Sequence, residues 1–240
     1  MKLTDFKVLT FDCYGTLIDW ETGIWNALQP LLSAGGLAPE REGALEHFGN
    51  CETEQEAATP SLRYSTLLAT VHARMAKDLG VAIHADLNER FGGSVPDWPA
   101  FPDSAEALAY LKRYFRLVIL SNVDRHSFAA SNRKLGVSFD AIYTAEDIGS
   151  YKPDARNFAY LLDHLAAEFG VGRGDILHTA QSLFHDHVPA ERAGLARAWI
   201  DRRHGKAGAG ATLLPATLPR VDFQFKSLAE MAQAHREAAG

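Results

Sequence analysis

Over the first seventeen residues, Phe6, Val8, Leu9 and Phe11 form a short apolar run that stops at one carboxylate, Asp12, and breaks at Gly15-Thr16. Such a run, with β-branched and aromatic members, predicts a buried strand. The period then changes. Ile24, Trp25, Leu28, Leu31 and Leu32 recur at helical spacing around Pro30, which is expected to bend the helix, and Gly35-Gly36 ends it. A second helical stretch, 39–58, places Pro39 at a favourable first position but is Glu-rich and poorly amphipathic. A third, 61–79, carries the stripe Leu62, Leu67, Leu68, Val71 and Met75 and stops at Gly80. Between Asp12 and Trp98 no second convincing strand occurs, which predicts an all-helical insertion.

Regular alternation resumes at Pro102. A helix from Ser104 to Tyr114 leads to the strand Arg116–Leu120, which runs directly into Ser121-Asn122. A short helix (127–135) precedes Phe139–Tyr143. A loop with Tyr151-Lys152-Pro153-Asp154 then opens a long helix whose apolar face is Phe158, Leu161, Leu162, Leu165 and Phe169. Asp175–Thr179 reads as a strand ending in Ala180-Gln181-Ser182, a helix covers 188–195, and Ala198–Ile200 is a last short core strand. Residues 203–220 read as a surface excursion, and Phe223–Phe225 with a helix from Ser227 close the chain. The pattern predicts an α/β fold, a doubly wound parallel sheet with an inserted helical cap. The boundaries are 1–17 and 99–240 for the core and 18–98 for the cap.

Composition narrows the partners. The chain has 240 residues, 47% of them hydrophobic, and a formal net charge of −6. That balance gives no reason to expect nucleic acid or an anionic membrane as partner. The first strand follows the N-terminal residues so closely that no signal peptide is expected, and no apolar stretch reaches membrane-spanning length. Cys13 and Cys51 suggest no disulfide framework. A cytoplasmic globular protein is expected.

Parallel strands deliver their carboxyl ends to one edge, where open α/β sheets bind ligands. Asp12, Ser121-Asn122, Lys152 and the Gln181–Asp186 segment should meet there. Asp12 is then a candidate nucleophile, although alone it could simply cap the following turn. Lys152 would keep it ionised, although a lone lysine before proline is ordinarily a solvated loop residue. Thr16 and Ser121 can orient carboxylate oxygens, Asn122 can donate to an anion, and Asp186 can polarise a hydrolytic water. The amides of Cys13 and Tyr14 could form an anion-binding nest. Ser121-Asn122 could be an ordinary turn and Asp186 a helix cap; the set gains weight because all occur at successive strand ends.

Phe11-Asp12-Cys13-Tyr14-Gly15-Thr16-Leu17, Leu120-Ser121-Asn122, Tyr151-Lys152-Pro153-Asp154 and the late loop ending in Asp186 resemble the four motifs of the haloacid dehalogenase superfamily. The helical insertion after the first motif is similar to that superfamily's cap. Within it, Asp-x-Tyr-Gly-Thr-Leu looks like the hydrolytic L-2-haloacid dehalogenases. The resemblance implies displacement of halide from a short 2-haloacid by Asp12, then hydrolysis of the ester by water activated by Asp186 and Lys152. Ser121 and the backbone at Cys13 would hold the substrate carboxylate and Asn122 would help receive the halide, with no cofactor. A phosphatase of the superfamily would need an acid where Tyr14 stands and a Mg²⁺ ligand where Gln181 stands. A Mg²⁺-dependent phosphatase of a small phosphometabolite, or a non-catalytic small-molecule-binding member, are the alternatives. A cap-to-cap homodimer is a fold-level analogy.

Three departures from the dehalogenase pattern stand out. The halide-cradling arginine has only Arg41 and Arg63 as candidates, and 50–58 is acidic instead. Phe158 stands where those enzymes carry tyrosine. The last motif reads His178-Thr-Ala-Gln-Ser-Leu-Phe-His185-Asp186-His187. A metal site in that cluster is disfavoured, because adjacent loop residues rarely point at one ion. One histidine is expected to orient Asp186 or reach the pocket, and another to be exposed. Cys13 is expected to be a packed thiol. Trp20 and Trp25 line either the pocket or the cap hinge, with core packing favoured.

Overall fold

A computed structural model of the protein describes residues 1–83, 85–206 and 208–240. Six strands make one parallel sheet in the order β3-β2-β1-β4-β5-β6: β1 (Val8–Phe11), β2 (Arg116–Ser121), β3 (Ala141–Thr144), β4 (Ile176–Ala180), β5 (Ala196–Ile200) and β6 (Phe223–Phe225). Every residue of β1 and β4 is buried, as expected of central strands covered on both faces. The chain winds outward from β1 through β2 to β3 and then returns to β4 on the other side of β1. That reversal opens a crevice at the carboxyl ends of β1 and β4, the position at which doubly wound sheets bind ligands.

Helices α1 (Trp20–Ala34), α2 (Arg41–Ala58), α3 (Tyr64–Asp78) and α4 (Ala85–Gly92) occupy the insertion between β1 and α5 (Ser104–Leu111). Among the described residues this insertion contains no strand, only isolated bridges pairing Ile18 with Tyr14 and with Ala100. The sequence reading missed α4, whose eight residues (Ala-Asp-Leu-Asn-Glu-Arg-Phe-Gly) hold few apolar positions and lean on α3 through the stacking of Phe91 on His72. Helix α1 runs unbroken through Pro30. The root of the insertion is tightly packed: a Cβ on Gly23 would lie 2.2 Å from Cγ of Trp98. The remaining helices are α6 (Arg125–Leu135), α7 (Ala145–Ile148), α8 (Ala155–Phe169), α9 (Val188–Arg192) and α10 (Leu228–Ala239). No described helix is long and apolar enough to cross a membrane.

Two expectations are corrected. The segment 203–220 is not merely a surface excursion: Ala211 and Thr212 are buried, and the Ala211 backbone lies so close to α2 that a Cβ on Gly49 would approach its carbonyl oxygen to 2.3 Å. None of His178, His185 and His187 is exposed. A π-helical turn, Leu183–His187, sets His185 and His187 below the surface, the ring of His187 bonding to the carbonyl of Ala180 at 2.9 Å.

Candidate active site

Register places the site. Phe11 pairs with Ile119 on β2 and with Thr179 on β4, so Asp12 emerges from the sheet flanked by the ends of both neighbours. Its amide still belongs to the sheet, donating to the carbonyl of Thr179 at 3.1 Å. The chain then turns sharply at Gly15, where φ is +90°, a conformation glycine adopts without strain. The turn brings Thr16 back over Asp12: its hydroxyl donates to Asp12 Oδ2 at 2.7 Å and accepts the Gln181 amide at 2.9 Å. Arg202 holds the turn from outside through the carbonyl of Thr16, at 3.1 and 2.9 Å.

Lys152 links three strand ends. Its Nζ donates to Asp12 Oδ1 at 2.9 Å, to Asp186 Oδ1 at 2.6 Å and to the carbonyl of Leu120 at 3.0 Å, with the side chain 2% exposed. Asn122 anchors the lysine loop, accepting the Lys152 amide at 2.7 Å and donating to its carbonyl at 3.0 Å. Burial pushes the Asp12 carboxyl upward and the Lys152 ammonium opposes that push. Burial would also raise Asp186, yet Lys152 and His178 hold it well below the usual carboxylate range. Although burial disfavours the ammonium, the two carboxylates keep Lys152 protonated far above neutrality.

His178 answers one question the sequence left open. It faces Thr10 across the β1–β4 ladder, with its Nδ1 2.8 Å from the threonine hydroxyl, and its Nε2 lies 3.0 Å from Asp186 Oδ1. Asp186 Oδ2 has no hydrogen-bond partner among the described residues and is therefore free for water. The hydroxyl of Ser121 is likewise buried without a partner, and the amides of Cys13 and Tyr14 donate to no described protein acceptor. The Cys13 side chain is fully buried and desolvation raises its thiol well above the ordinary value, which suits packing and not redox chemistry. The Tyr14 hydroxyl, in the position of a phosphatase acid, is 3.0 Å from that of Ser131.

A cavity of about 40 Å³ lies at these strand ends, lined on the core side by Asp12, Tyr14, Asn122, Lys152, Ser182, His185 and Asp186. The helical insertion supplies Trp20, Glu52, Glu56 and Tyr64, and Thr212 reaches in from the 203–220 segment. Trp20 thus both packs in the core and lines the cavity. The two arginine candidates lie elsewhere. Arg41 bonds to the Thr22 hydroxyl at 3.1 Å, and Arg63 is half exposed, 3.5 Å from Asp124. Glu52 and Glu56, one helical turn apart on α2, explain why that helix looked poorly amphipathic: its buried face includes acids. Tyr64 donates to Glu52 Oε1 at 2.7 Å, and burial pushes the Glu52 carboxyl up to about 8.

The donor set does not suit the magnesium ion that phosphate-cleaving members of such a fold require. The ammonium of Lys152 lies between Asp12 and Asp186, and Gln181 turns its neutral amide oxygen toward Thr212 Oγ1 at 3.5 Å.

Residues 6–178 match the haloacid dehalogenase-like hydrolase family. An (S)-2-haloacid dehalogenase of Pseudomonas putida is 23% identical over 85% of this chain and 88% of its own length. A defluorinating L-2-haloacid dehalogenase superposes with a TM-score of 0.77 at 19% identity, covering 98% of both chains. The L-2-haloacid dehalogenase of Xanthobacter autotrophicus with chloropropionic acid covalently bound superposes with a TM-score of 0.76 at 18% identity, over 96% of this chain and 98% of that one. A buried aspartate at the end of β1, a lysine shared between two carboxylates, a helical insertion after the first strand and a family match over most of the chain agree: the protein belongs to the haloacid dehalogenase-like hydrolases.

Proposed function

We propose that this hydrolase cleaves the carbon–halogen bond of short 2-haloacids, in the cytoplasm and without a metal. The observation that carries the reading is the Lys152 ammonium bound to Asp12 at 2.9 Å and Asp186 at 2.6 Å, in a cavity that has Tyr14 where phosphate-ester chemistry needs an acid. Relatives named (S)-2-haloacid dehalogenase support it. So does size: at roughly 10–15 Å³ for each water, a cavity of about 40 Å³ suits a ligand of a few heavy atoms.

The chemistry follows from the contacts. A carboxylate oxygen of Asp12, kept ionised by Lys152, attacks the halogen-bearing carbon; the C–O bond forms as the C–halogen pair leaves with the halide. The Ser121 hydroxyl and the amides of Cys13 and Tyr14 are the donors we assign to the substrate carboxylate. Asp186, fixed by His178 and Lys152, takes a proton from water at its free Oδ2 as that water attacks the Asp12 carbonyl carbon. The ester C–O bond breaks on the Asp12 side as Asp186 returns its proton to the departing alkoxide oxygen, and the Asp12 carboxyl sheds the second water proton to solvent; both carboxylates are restored and the 2-hydroxy acid leaves with inverted configuration.

The test is halide release from chloroacetate and 2-chloropropionate, with and without chelator, beside phosphate release from a generic phosphate ester. Chelator-insensitive halide release, abolished by Asp12→Asn, is expected. Phosphate release that the chelator stops, without halide release, overturns the reading in favour of a phosphatase.

A further inference from the structure

Among the described residues no arginine lines the cavity, yet a departing halide needs a donor. Four carboxyl groups, those of Asp12, Asp186, Glu52 and Glu56, share this small space with one ammonium. They cannot all be ionised there, because each further negative charge meets like charges in a poorly hydrated site. The acids farthest from Lys152 in hydrogen-bonding terms are those of the cap, neither of which bonds to it.

The hydrogen bonds assign the atoms. Asn122 Nδ2 donates to Glu56 Oε1 at 3.1 Å, so a proton on this carboxyl is accommodated at Oε2 and leaves Oε1 as the acceptor. Oε2 is buried and has no hydrogen-bond partner among the described residues. Facing it at 3.8 Å, too far for a hydrogen bond, is Nε2 of His185, also buried and without a partner. The Ser182 hydroxyl accepts from the His185 amide at 2.9 Å and lies 3.3 Å from His185 Nδ1; with the serine hydrogen given to Nδ1, the ring carries its own proton on Nε2. Two buried donors, one from the cap and one from the core, thus converge on a gap that neither fills.

We propose that Glu56, as the carboxylic acid, and His185, through its Nε2–H, receive the departing halide in place of an arginine. The inference rests on the dehalogenase reading above and names the leaving groups that suit it: fluoride and chloride, whose compact charge gains most from two neutral donors. The balance is simple. The C–halogen pair departs on the halide, and Glu56 and His185 donate hydrogen bonds to it. Because hydrogen fluoride and hydrogen chloride are both stronger acids than a buried carboxyl, the proton stays on Glu56. Neutral donors also avoid trapping the product as a tight ion pair. Burial holds His185 down near 4, so it is uncharged at neutral pH, while burial and Glu52 push Glu56 well above the ordinary value.

Titration therefore switches the site off at alkaline pH, when Glu56 loses the donor and adds a charge. The groups that face Glu56 and share in that titration are Glu52 on α2, Tyr64 on α3, Tyr151 and Lys152 on the lysine loop, and His185 and Asp186 after β4. The experiment measures kcat for halide release from fluoroacetate, chloroacetate and bromoacetate between about pH 5.5 and 9.5. It uses wild type, Glu56→Gln, Glu56→Ala and Glu52→Gln, each checked for folding by circular dichroism.

Loss of one such donor costs on the order of 10²-fold in rate, so Glu56→Ala should fall by about that factor, most for fluoroacetate. Glu56→Gln keeps an N–H donor at every pH; it should lose less than tenfold at pH 7 and show no alkaline decline. Glu52→Gln should keep a decline. The proposal is overturned if Glu56→Ala stays within threefold of wild type, if Glu56→Gln declines as wild type does, or if Glu52→Gln alone abolishes the decline. Should Glu56→Ala not fold, the Glu56→Gln profile decides. A wild type that releases no halide from any of the three acids overturns the dehalogenase reading itself, a result distinct from each of these.

Discussion

Replacing Lys152 with methionine removes the one charge that reconciles two buried carboxylates. With Nζ at 2.9 Å from Asp12 and 2.6 Å from Asp186, the gross attraction is about 6 kcal/mol for each pair at an effective dielectric of about 20. Desolvating a buried ammonium offsets much of this, and breaking buried pairs from one side costs a net ~3–5 kcal/mol. The same change removes the ammonium that opposes burial at Asp12, so its carboxyl rises further and a smaller fraction is ionised. Lys152→Met should therefore lose about 3–5 kcal/mol in urea unfolding at pH 7 and at least ~10²-fold in halide release. The pH dependence of the Asp186 contribution reverses too. In wild type, Asp186 lies below its unfolded value, so its contribution is present above the unfolded pKa and lost as pH falls through the folded one. In the variant both acids lie above their unfolded values, so stability is greatest at acid pH and is lost as pH rises. A Lys152→Met protein within about 1 kcal/mol of wild type, with an unchanged pH profile, would refute the electrostatic argument.

Glu52→Gln keeps the acceptor for Tyr64 while removing a carboxyl whose folded pKa is raised to about 8. A raised carboxyl stabilises fully below its unfolded pKa, and that stability is lost as pH rises through the folded value, so the variant should be the more stable protein at pH 8, by about 2–5 kcal/mol in chemical denaturation. Thr16→Val removes the donor to Asp12 Oδ2 and strands the half-buried Gln181 amide; about 1–3 kcal/mol of stability should be lost, together with part of the halide-release rate, read by unfolding and by single-turnover kinetics. Gly23→Ala should lower the thermal midpoint without altering the chemistry, costing about 1–3 kcal/mol, because its Cβ would meet Trp98 at 2.2 Å.

The candidate-site end of the sheet was legible in the sequence because parallel topology alone brings strand ends together. Asp12, Ser121, Asn122, Lys152 and Asp186 each follow a strand or a loop on the same edge, so their convergence needs no knowledge of side-chain packing. The cap side was not legible. Glu52 and Glu56 show as a patch of acid on a weak helix, and only the docking of α2 over the cavity, with Tyr64 and Asn122 as partners, makes them buried groups. His185 and Thr212 depend on a π-helical turn and on an irregular segment, neither of which has a periodic signature. His178 was legible as a strand residue but not as the brace of Asp186, since that contact depends on its pairing opposite Thr10.

The central claim is that Asp12 forms an ester that water opens at the aspartyl carbon, and one single-turnover experiment in H₂¹⁸O with excess enzyme tests it most directly. With chloroacetate as substrate, the account predicts one ¹⁸O in the Asp12-containing peptide by mass spectrometry and unlabelled glycolate, whose hydroxyl oxygen came from Asp12. Labelled glycolate with an unlabelled Asp12 peptide would mean that water attacks the substrate directly, and would contradict the account.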